Sequence, residues 1–94
     1  ALDEGCTPLF IASQNGHVDV ARLLIEAGAD IDKAMDDGVT PLYLASHEGH
    51  VDVARALLNG GADATLATNE GKAPLMIAKE RNYPEIVALL EAAA

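Results

Sequence analysis

The sequence predicts an all-α repeat solenoid, in which three helix-turn-helix units stack side by side and short β-hairpin fingers join them. Residues 3–35 and 36–68 carry identical residues at 19 of 33 aligned positions, and a weaker third copy follows from residue 69. Half of the 94 residues are apolar but only 3% are aromatic, so the core must be built from Leu, Ala, Val and Ile. That composition favours packed helices.

The first helix of each unit is predicted from its two ends. Thr7 and Thr40 each stand directly before a proline, and Thr at the N-cap followed by Pro at the first helical position is typical of a helix start. Gly16 and Gly49 stand where a residue in the left-handed conformation would end the helix. We therefore expect a helix of about two turns after each Thr-Pro pair.

The second helix of each unit is predicted from an acidic start and an apolar face. Asp19 and Asp52 fall in its first turn, near the positive end of the helix dipole. Apolar residues recur at intervals of three and four in the first unit, which predicts a core face made of Val20, Leu23, Leu24 and Ala27. Glycines end the helix at Gly28 and at Gly60-Gly61.

The segment between units is predicted to turn. Residues 29–37 are rich in Asp and lead into Asp37-Gly38, a pair that favours a tight turn between extended strands. Helices this short are marginal in water by themselves, because nucleation is costly and few hydrogen bonds follow it. Each unit therefore needs a neighbour, and we expect one domain, 1–94, with repeats at about 3–35, 36–68 and 69–94.

Net charge and cysteine content restrict the partner and the compartment. The formal charge is −9 with only six scattered Lys and Arg residues, which argues against nucleic acid and anionic membranes. A protein partner with a basic surface would be favoured, although such a charge also serves solubility. No apolar run approaches the roughly 18 residues of a membrane span. Cys6 is the only cysteine, so we expect an intracellular protein of the cytoplasm or nucleus.

These motifs resemble the ankyrin repeat. The run G-x-T-P-L-x-x-A stands at Gly5–Ala12 and at Gly38–Ala45, followed in both units by Gly-His, Leu-Leu and Gly-Ala-Asp, with the family's period of 33. The resemblance covers essentially the whole chain. It implies a β-turn and two antiparallel helices per repeat, stacked in a curved solenoid. It also implies protein–protein binding without catalysis, along projecting fingers and the concave face formed by the first helices.

The chain departs from the family pattern in the first helices and in the last unit. Family members usually carry His after Thr-Pro-Leu, whereas this chain has Phe10, Tyr43 and Met76. In the third unit Ala73 replaces the capping Thr, Asn82 replaces the helix-ending Gly, and Pro84 stands at the start of the second helix. Residues 89–94 continue in helix formers, so the third unit resembles a C-terminal cap. The first unit has no comparable device.

The residues that could suggest metal binding or catalysis are better explained as structural. His47 and His50 are three residues apart, but His17 and His50 are expected in the loop between helices, and no local carboxylate completes a ligand set. Ser13 and Ser46 lie within first helices without the context of a nucleophile elbow. The paired aspartates occupy turns, where Asp is favoured for backbone bonding. We therefore expect no enzyme, no cofactor and no metal.

The candidate partner-binding residues are those at which the copies differ and which fall on the fingers and the first-helix face. In the first unit they are Asp3, Glu4, Cys6, Gln14 and Asn15. In the second unit they are Asp36, Asp37, Val39, Tyr43, His47 and Glu48. In the third unit they are Asn69, Glu70, Lys72, Met76, Glu80 and Arg81.

Two points stay open at this level. The high identity of the first two units and the small number of units are also typical of an engineered or structural scaffold with no natural partner of its own, whereas the diverged third copy opposes that interpretation. The chain is expected to be a monomer or to self-associate weakly through its uncapped first unit, where Leu23, Ile25 and their neighbours lack a covering layer.

Overall fold

The helices occur in pairs along the chain. The computed structural model describes residues 7–93, and within them it contains six α-helices: α1 (Pro8–Asn15), α2 (Val18–Glu26), α3 (Pro41–Glu48), α4 (Val51–Asn59), α5 (Pro74–Glu80) and α6 (Pro84–Ala93). The first, second and third units each contain two successive helices. No helix in this part of the chain is long and apolar enough to cross a membrane.

The units stack in sequence order. Helix α3 packs between α1 and α5, and α4 packs between α2 and α6, so the first helices form one layer and the second helices another. One apolar core runs through all three units, and its buried members are Leu9, Ala12, Ala21, Leu42, Ala45, Val53, Ala54, Leu57, Ala78, Ile86 and Leu90. The predicted all-α repeat arrangement is confirmed.

The first helices begin at the predicted caps. Thr7 Oγ1 accepts a hydrogen bond from the N–H of Phe10, and Thr40 Oγ1 accepts one from the N–H of Tyr43, each at 3.1 Å. Both bonds satisfy a backbone donor that the first helical turn would otherwise leave free. In the third unit Ala73 stands at the N-cap of α5 without a hydroxyl to offer.

The first helices also end as predicted. Gly16 and Gly49 adopt φ values of 76° and 77°, in the left-handed region that glycine enters without steric cost. Asn82 stands at the same place in the third unit with φ of 61°. Asn is among the few other residues that tolerate this conformation, so the third copy keeps the same chain reversal.

The turns between units form, but the predicted β-hairpins do not. The N–H of Met35 donates to the carbonyl of Val39 at 3.0 Å, and the N–H of Thr68 donates to that of Lys72 at 2.9 Å. Each finger is thus a tight turn closed by a backbone hydrogen bond, and residues 7–93 contain no β-strand. The reason is local. The N-caps Thr40 and Ala73 directly follow Val39 and Lys72, which accept the closing hydrogen bonds, so no further residues are left to extend a β-ladder.

A ring from each following unit covers the glycine that ends the preceding first helix. A Cβ atom added at Gly16 would lie 2.8 Å from Cε1 of His50, and one added at Gly49 would lie 2.8 Å from Cζ of Tyr83. His50 Nε2 also lies 3.0 Å from the carbonyl oxygen of Gln14. These rings therefore hold successive units together, which explains His50 without a metal.

The core face predicted for α2 is wrong at three of its four positions. Val20 is 47% exposed and Leu23 is 65% exposed, and Ala27 is exposed as well. Leu24 is half-buried against the core. Within residues 7–93, helix α2 packs against another second helix, α4, on one side only. Val53 is the counterpart of Val20 in α4, and it is only 1% exposed because α2 covers it.

Restoring the missing cap should stabilise the third unit. Ala73 has φ of −88° and ψ of 163°, close to the −90° and 165° of Thr40, so a threonine can cap α5 without backbone change. We expect Ala73→Thr to raise the free energy of unfolding by about 0.5–1 kcal/mol, measured by urea denaturation. The control Ala73→Val has a similar shape but no acceptor. An equal gain from Val would show that capping is not the cause.

Adding a methyl group at Gly49 should loosen the seam between the second and third units. Gly71 is the matched control, because its φ of 82° is equally left-handed but an added Cβ there meets nothing within 4 Å. We expect Gly71→Ala to cost about 1 kcal/mol from backbone strain, and Gly49→Ala to cost about 1 kcal/mol more because Tyr83 must move. Thermal unfolding measures both. If the difference survives in a Tyr83→Ala background, the ring is not its source.

Candidate partner-binding surface

The turns and the first helices present one continuous surface in the third unit. Lys72 follows the turn at residues 69–70, and its Nζ lies 3.1 Å from Oε1 of Glu80 at the end of α5. This ion pair between two side chains therefore connects the turn to the last residue of α5. Because α3 packs beside α5, the same surface continues into the second unit.

The two described turns are hydrogen-bonded to each other. Asn69 Nδ2 donates to the carbonyl of Asp36, and the Asn69 N–H donates to the carbonyl of Asp37, both at 2.9 Å. Asp37 Oδ1 in turn accepts the N–H of Val39 at 3.1 Å. An added Cβ at Gly38 would lie 2.8 Å from Oδ1 of Asn69, so the turns touch closely. The exposed acidic groups of the fingers are consequently held at a set spacing.

A row of large side chains follows the first helices. Phe10, Tyr43 and Met76 stand 33 positions apart on three adjacent helices. Phe10 is half-buried, Tyr43 is only 9% exposed, and Met76 is 47% exposed. The Tyr43 ring stacks on that of His47 with centroids 6.4 Å apart. Met76 therefore offers the largest free apolar contact, while Tyr43 mainly supports the fold.

Negative charge dominates this surface. It has two cationic side chains, Lys72 and Arg81. The exposed carboxylates outnumber them and belong to Asp36, Asp37, Glu48, Glu70 and Glu80. The hydrogen bond and opposite charge of Glu80 raise the pKa of Lys72, because both favour the charged ammonium of this ion pair. The remaining field is negative and attracts cationic groups.

The polar groups that could suggest metal binding or nucleophilic catalysis have other contacts in the described residues. Among residues 7–93, no three His, Cys, Asp or Glu side chains are grouped so that they could hold a metal ion. The hydroxyls of Ser13 and Ser46 donate to the carbonyl oxygens of Leu9 and Leu42 at 2.8 Å, and both serines are fully buried. Hydroxyls that are bonded to backbone and closed to solvent are out of reach of a substrate.

The predicted residues differ in how far they are exposed. Those exposed to solvent are Gln14, Asn15, Asp36, Asp37, Glu48, Asn69, Glu70, Met76, Glu80 and Arg81. Val39, His47 and Lys72 are half-buried, and Tyr43 is buried. The predictions for Asp3, Glu4 and Cys6 lie outside the described residues.

The sequence-based set omitted one member of the row along the first helices. Phe10 stands at the register of Tyr43 and Met76, and both of these belong to the predicted set because the copies differ there. The spacing of 33 alone would have found Phe10. Variation between copies also marks this position, because the three residues there all differ.

Comparison with known proteins identifies the repeat. A family model described as ankyrin repeats, in many copies, matches residues 9–58. This segment covers nearly all of α1 to α4 and more than half of the chain. No curated protein matches the chain.

Proposed function

The chain belongs to the ankyrin-repeat family, and we propose that residues 1–94 form one non-enzymatic binding domain that recognises a protein through its turns and first-helix face. Ankyrin repeats are generally protein–protein interaction modules. The observation that carries the proposal is the continuous surface on which acidic turns adjoin the exposed Met76. The partner proposed is a protein with a basic surface, encountered inside the cell.

The proposal is supported by the presence of both charged and apolar side chains on this surface. Charged groups at the rim of an interface steer encounter and select partners, whereas apolar groups at its centre supply most of the affinity. Here the carboxylates of Asp36 and Asp37 stand on one turn, and Asn69 of the next turn holds that turn in place, so they need little ordering when a partner binds. Met76 is flexible and half-exposed, which suits adaptable apolar contact.

A structural or engineered scaffold without a natural partner is the second candidate. The observation that favours it is the identity of the first two units at 19 of 33 positions. Such a scaffold would keep every inter-unit contact described above, because those contacts serve folding. It would have no ligand that depends on the acidic turns, and this difference separates the two candidates.

Reversing charge on the candidate surface should weaken partner binding. We expect Asp36→Lys combined with Glu48→Lys to weaken capture of cellular proteins by the immobilised chain at least tenfold, because both carboxylates are exposed beside the first-helix face. Quantitative mass spectrometry of the captured proteins measures the loss. Adding Met76→Ala to the double variant should weaken the binding of the same captured proteins further, without changing the Tm of the chain.

The matched control carries the same charge change on the second helices. Asp19→Lys combined with Glu91→Lys alters two exposed carboxylates on α2 and α6, away from the candidate surface. This variant should retain the captured proteins. Equal losses of captured proteins from both double variants would show that the attraction is non-specific and depends only on charge. If the original chain captures no protein specifically, the scaffold interpretation is favoured.

The chain should be a monomer that associates only weakly through its first unit. Val20 and Leu23 are exposed on α2, but two such side chains are far less apolar surface than a stable dimer buries. We expect a dissociation constant on the order of 1 mM, measured by sedimentation equilibrium. Leu23→Glu should abolish the association, and Ala88→Glu on α6, another exposed position, should not.

A further inference from the structure

The ion pair between Lys72 and Glu80 runs along the exposed side of α5. Lys72 stands two residues before the first residue of this helix, and Glu80 is its last residue. The ends of a helix of 7 residues are about 9 Å apart, at a rise of about 1.5 Å per residue. Because Nζ of Lys72 lies 3.1 Å from Oε1 of Glu80, both side chains must extend along the helix to meet.

This ion pair is not part of the repeated framework. Val39 occupies the position of Lys72 in the second unit. His47 occupies the position of Glu80 there, so the second unit has no equivalent pair. Helix α3 nevertheless begins at the equivalent proline, and exposed ion pairs contribute little to stability. Folding alone therefore does not explain why the third unit has this pair.

The carboxylate of Glu80 lies beside an exposed apolar side chain. Met76 and Glu80 stand four residues apart in α5 and hence on one side of the helix. Met76 is 47% exposed, and the side chain of Glu80 is 48% exposed. This combination suits a ligand group with an apolar stem and a cationic head. Among the amino acids, lysine and arginine have that form.

Lys72 is itself such a group, and it is bound at this carboxylate. Its ammonium donates a hydrogen bond to Oε1 of Glu80, and its stem is a chain of methylene groups. The hydrogen bond and the opposite charge of Glu80 raise the pKa of Lys72, because both favour the charged ammonium. Lys72 therefore shows how a basic side chain is bound at Glu80.

We propose that Met76 and Glu80 form a binding site for an arginine or lysine side chain of the partner, and that Lys72 occupies this site until the partner binds. The cationic group of the partner then replaces the ammonium of Lys72 at Glu80. This inference rests on the proposed function, since the partner must reach the first-helix face. It specifies which carboxylate of that face receives a basic side chain and which residue competes for it.

The replacement of Lys72 is favourable because the ion pair is exposed and makes a single hydrogen bond. The side chain of Lys72 is 38% exposed, so water can solvate its ammonium when it leaves Glu80. The planar guanidinium of an arginine can donate two parallel hydrogen bonds to one carboxylate, whereas the ammonium of Lys72 donates one. Arginine is therefore the preferred incoming residue.

The test measures binding of a short fluorescent peptide of alternating Arg and Leu residues to the full chain. Fluorescence anisotropy at physiological ionic strength gives the dissociation constant. We expect Lys72→Gln to strengthen binding about threefold, because Glu80 loses its internal ligand. Glu80→Gln should weaken binding about fivefold, because the charge-assisted hydrogen bonds are lost.

The matched control removes another lysine of the same helix. Lys79 is exposed and lines a groove with Tyr83 and Val87, so it lies beside α6. Lys79→Gln makes the same charge change as Lys72→Gln and should leave peptide binding almost unchanged. A gain from Lys79→Gln equal to that from Lys72→Gln would overturn the proposal, because net charge alone would then explain both.

A double-mutant cycle separates competition from repulsion. Lys72→Gln is repeated in the Glu80→Gln background, where no carboxylate is left to release. The threefold gain should disappear there, because the effect of Lys72 acts through Glu80. An equal gain in both backgrounds would show that Lys72 only repels the cationic peptide from a distance, and this result would overturn the proposal.

Thermal unfolding provides a readout that does not depend on binding. Lys72→Gln should change Tm by less than about 5 °C, because the ion pair is exposed. A larger fall in Tm would show that the pair supports the fold, and the proposed exchange would then be wrong.

Failure of this inference can be told apart from failure of the proposed function. Capture of cellular proteins tests the proposed function and is expected to depend on Asp36 and Glu48. If capture is retained while the cycle is additive, only the exchange at Glu80 is wrong. If the original chain captures no protein specifically, the proposed function fails, and the role of Glu80 in partner recognition fails with it.

Discussion

None of the six helices in residues 7–93 is long enough to be stable without a neighbouring helix, and this constraint governs the rest of the structure. The helices have 7 to 10 residues, which is shorter than isolated helices that are stable in water. Their caps and dipoles contribute too little to offset the entropy of ordering them. Stability therefore comes from contact between successive units, and each unit is both a support for the next one and dependent on it.

The contacts between units are specific because they combine size matching with hydrogen bonding. Glycines at the ends of α1 and α3 leave space for the rings of His50 and Tyr83, and Gly60 leaves space for two isoleucines. Asn69 ties one turn to the previous one through two backbone carbonyls. These restraints join successive units, whereas the side chains of the turns and first helices that make no such contact remain free to vary. A binding surface can change there with little effect on folding.

Much of the fold could be predicted because its signals are local. Thr-Pro pairs, helix-ending glycines and the period of 33 each act within one unit, and the helix starts and the stacking order follow from them. The candidate surface was harder to predict. Tyr43 and Met76 stand at the same register and both differ between copies, yet Tyr43 is buried and Met76 is half-exposed. Variation alone therefore did not distinguish contact residues from residues that support the fold.

The sequence by itself determined the helices, their order and the need for stacking, because capping, helix breaking and hydrophobic periodicity act over a few residues. Only the tertiary structure decided which apolar residues are buried. Val20 and Val53 have nearly identical sequence surroundings, yet one is 47% exposed and the other 1%, since burial depends on whether a unit stands in front. Likewise, an Asp-Gly turn became a finger without strands because the helix begins too soon for a ladder to form.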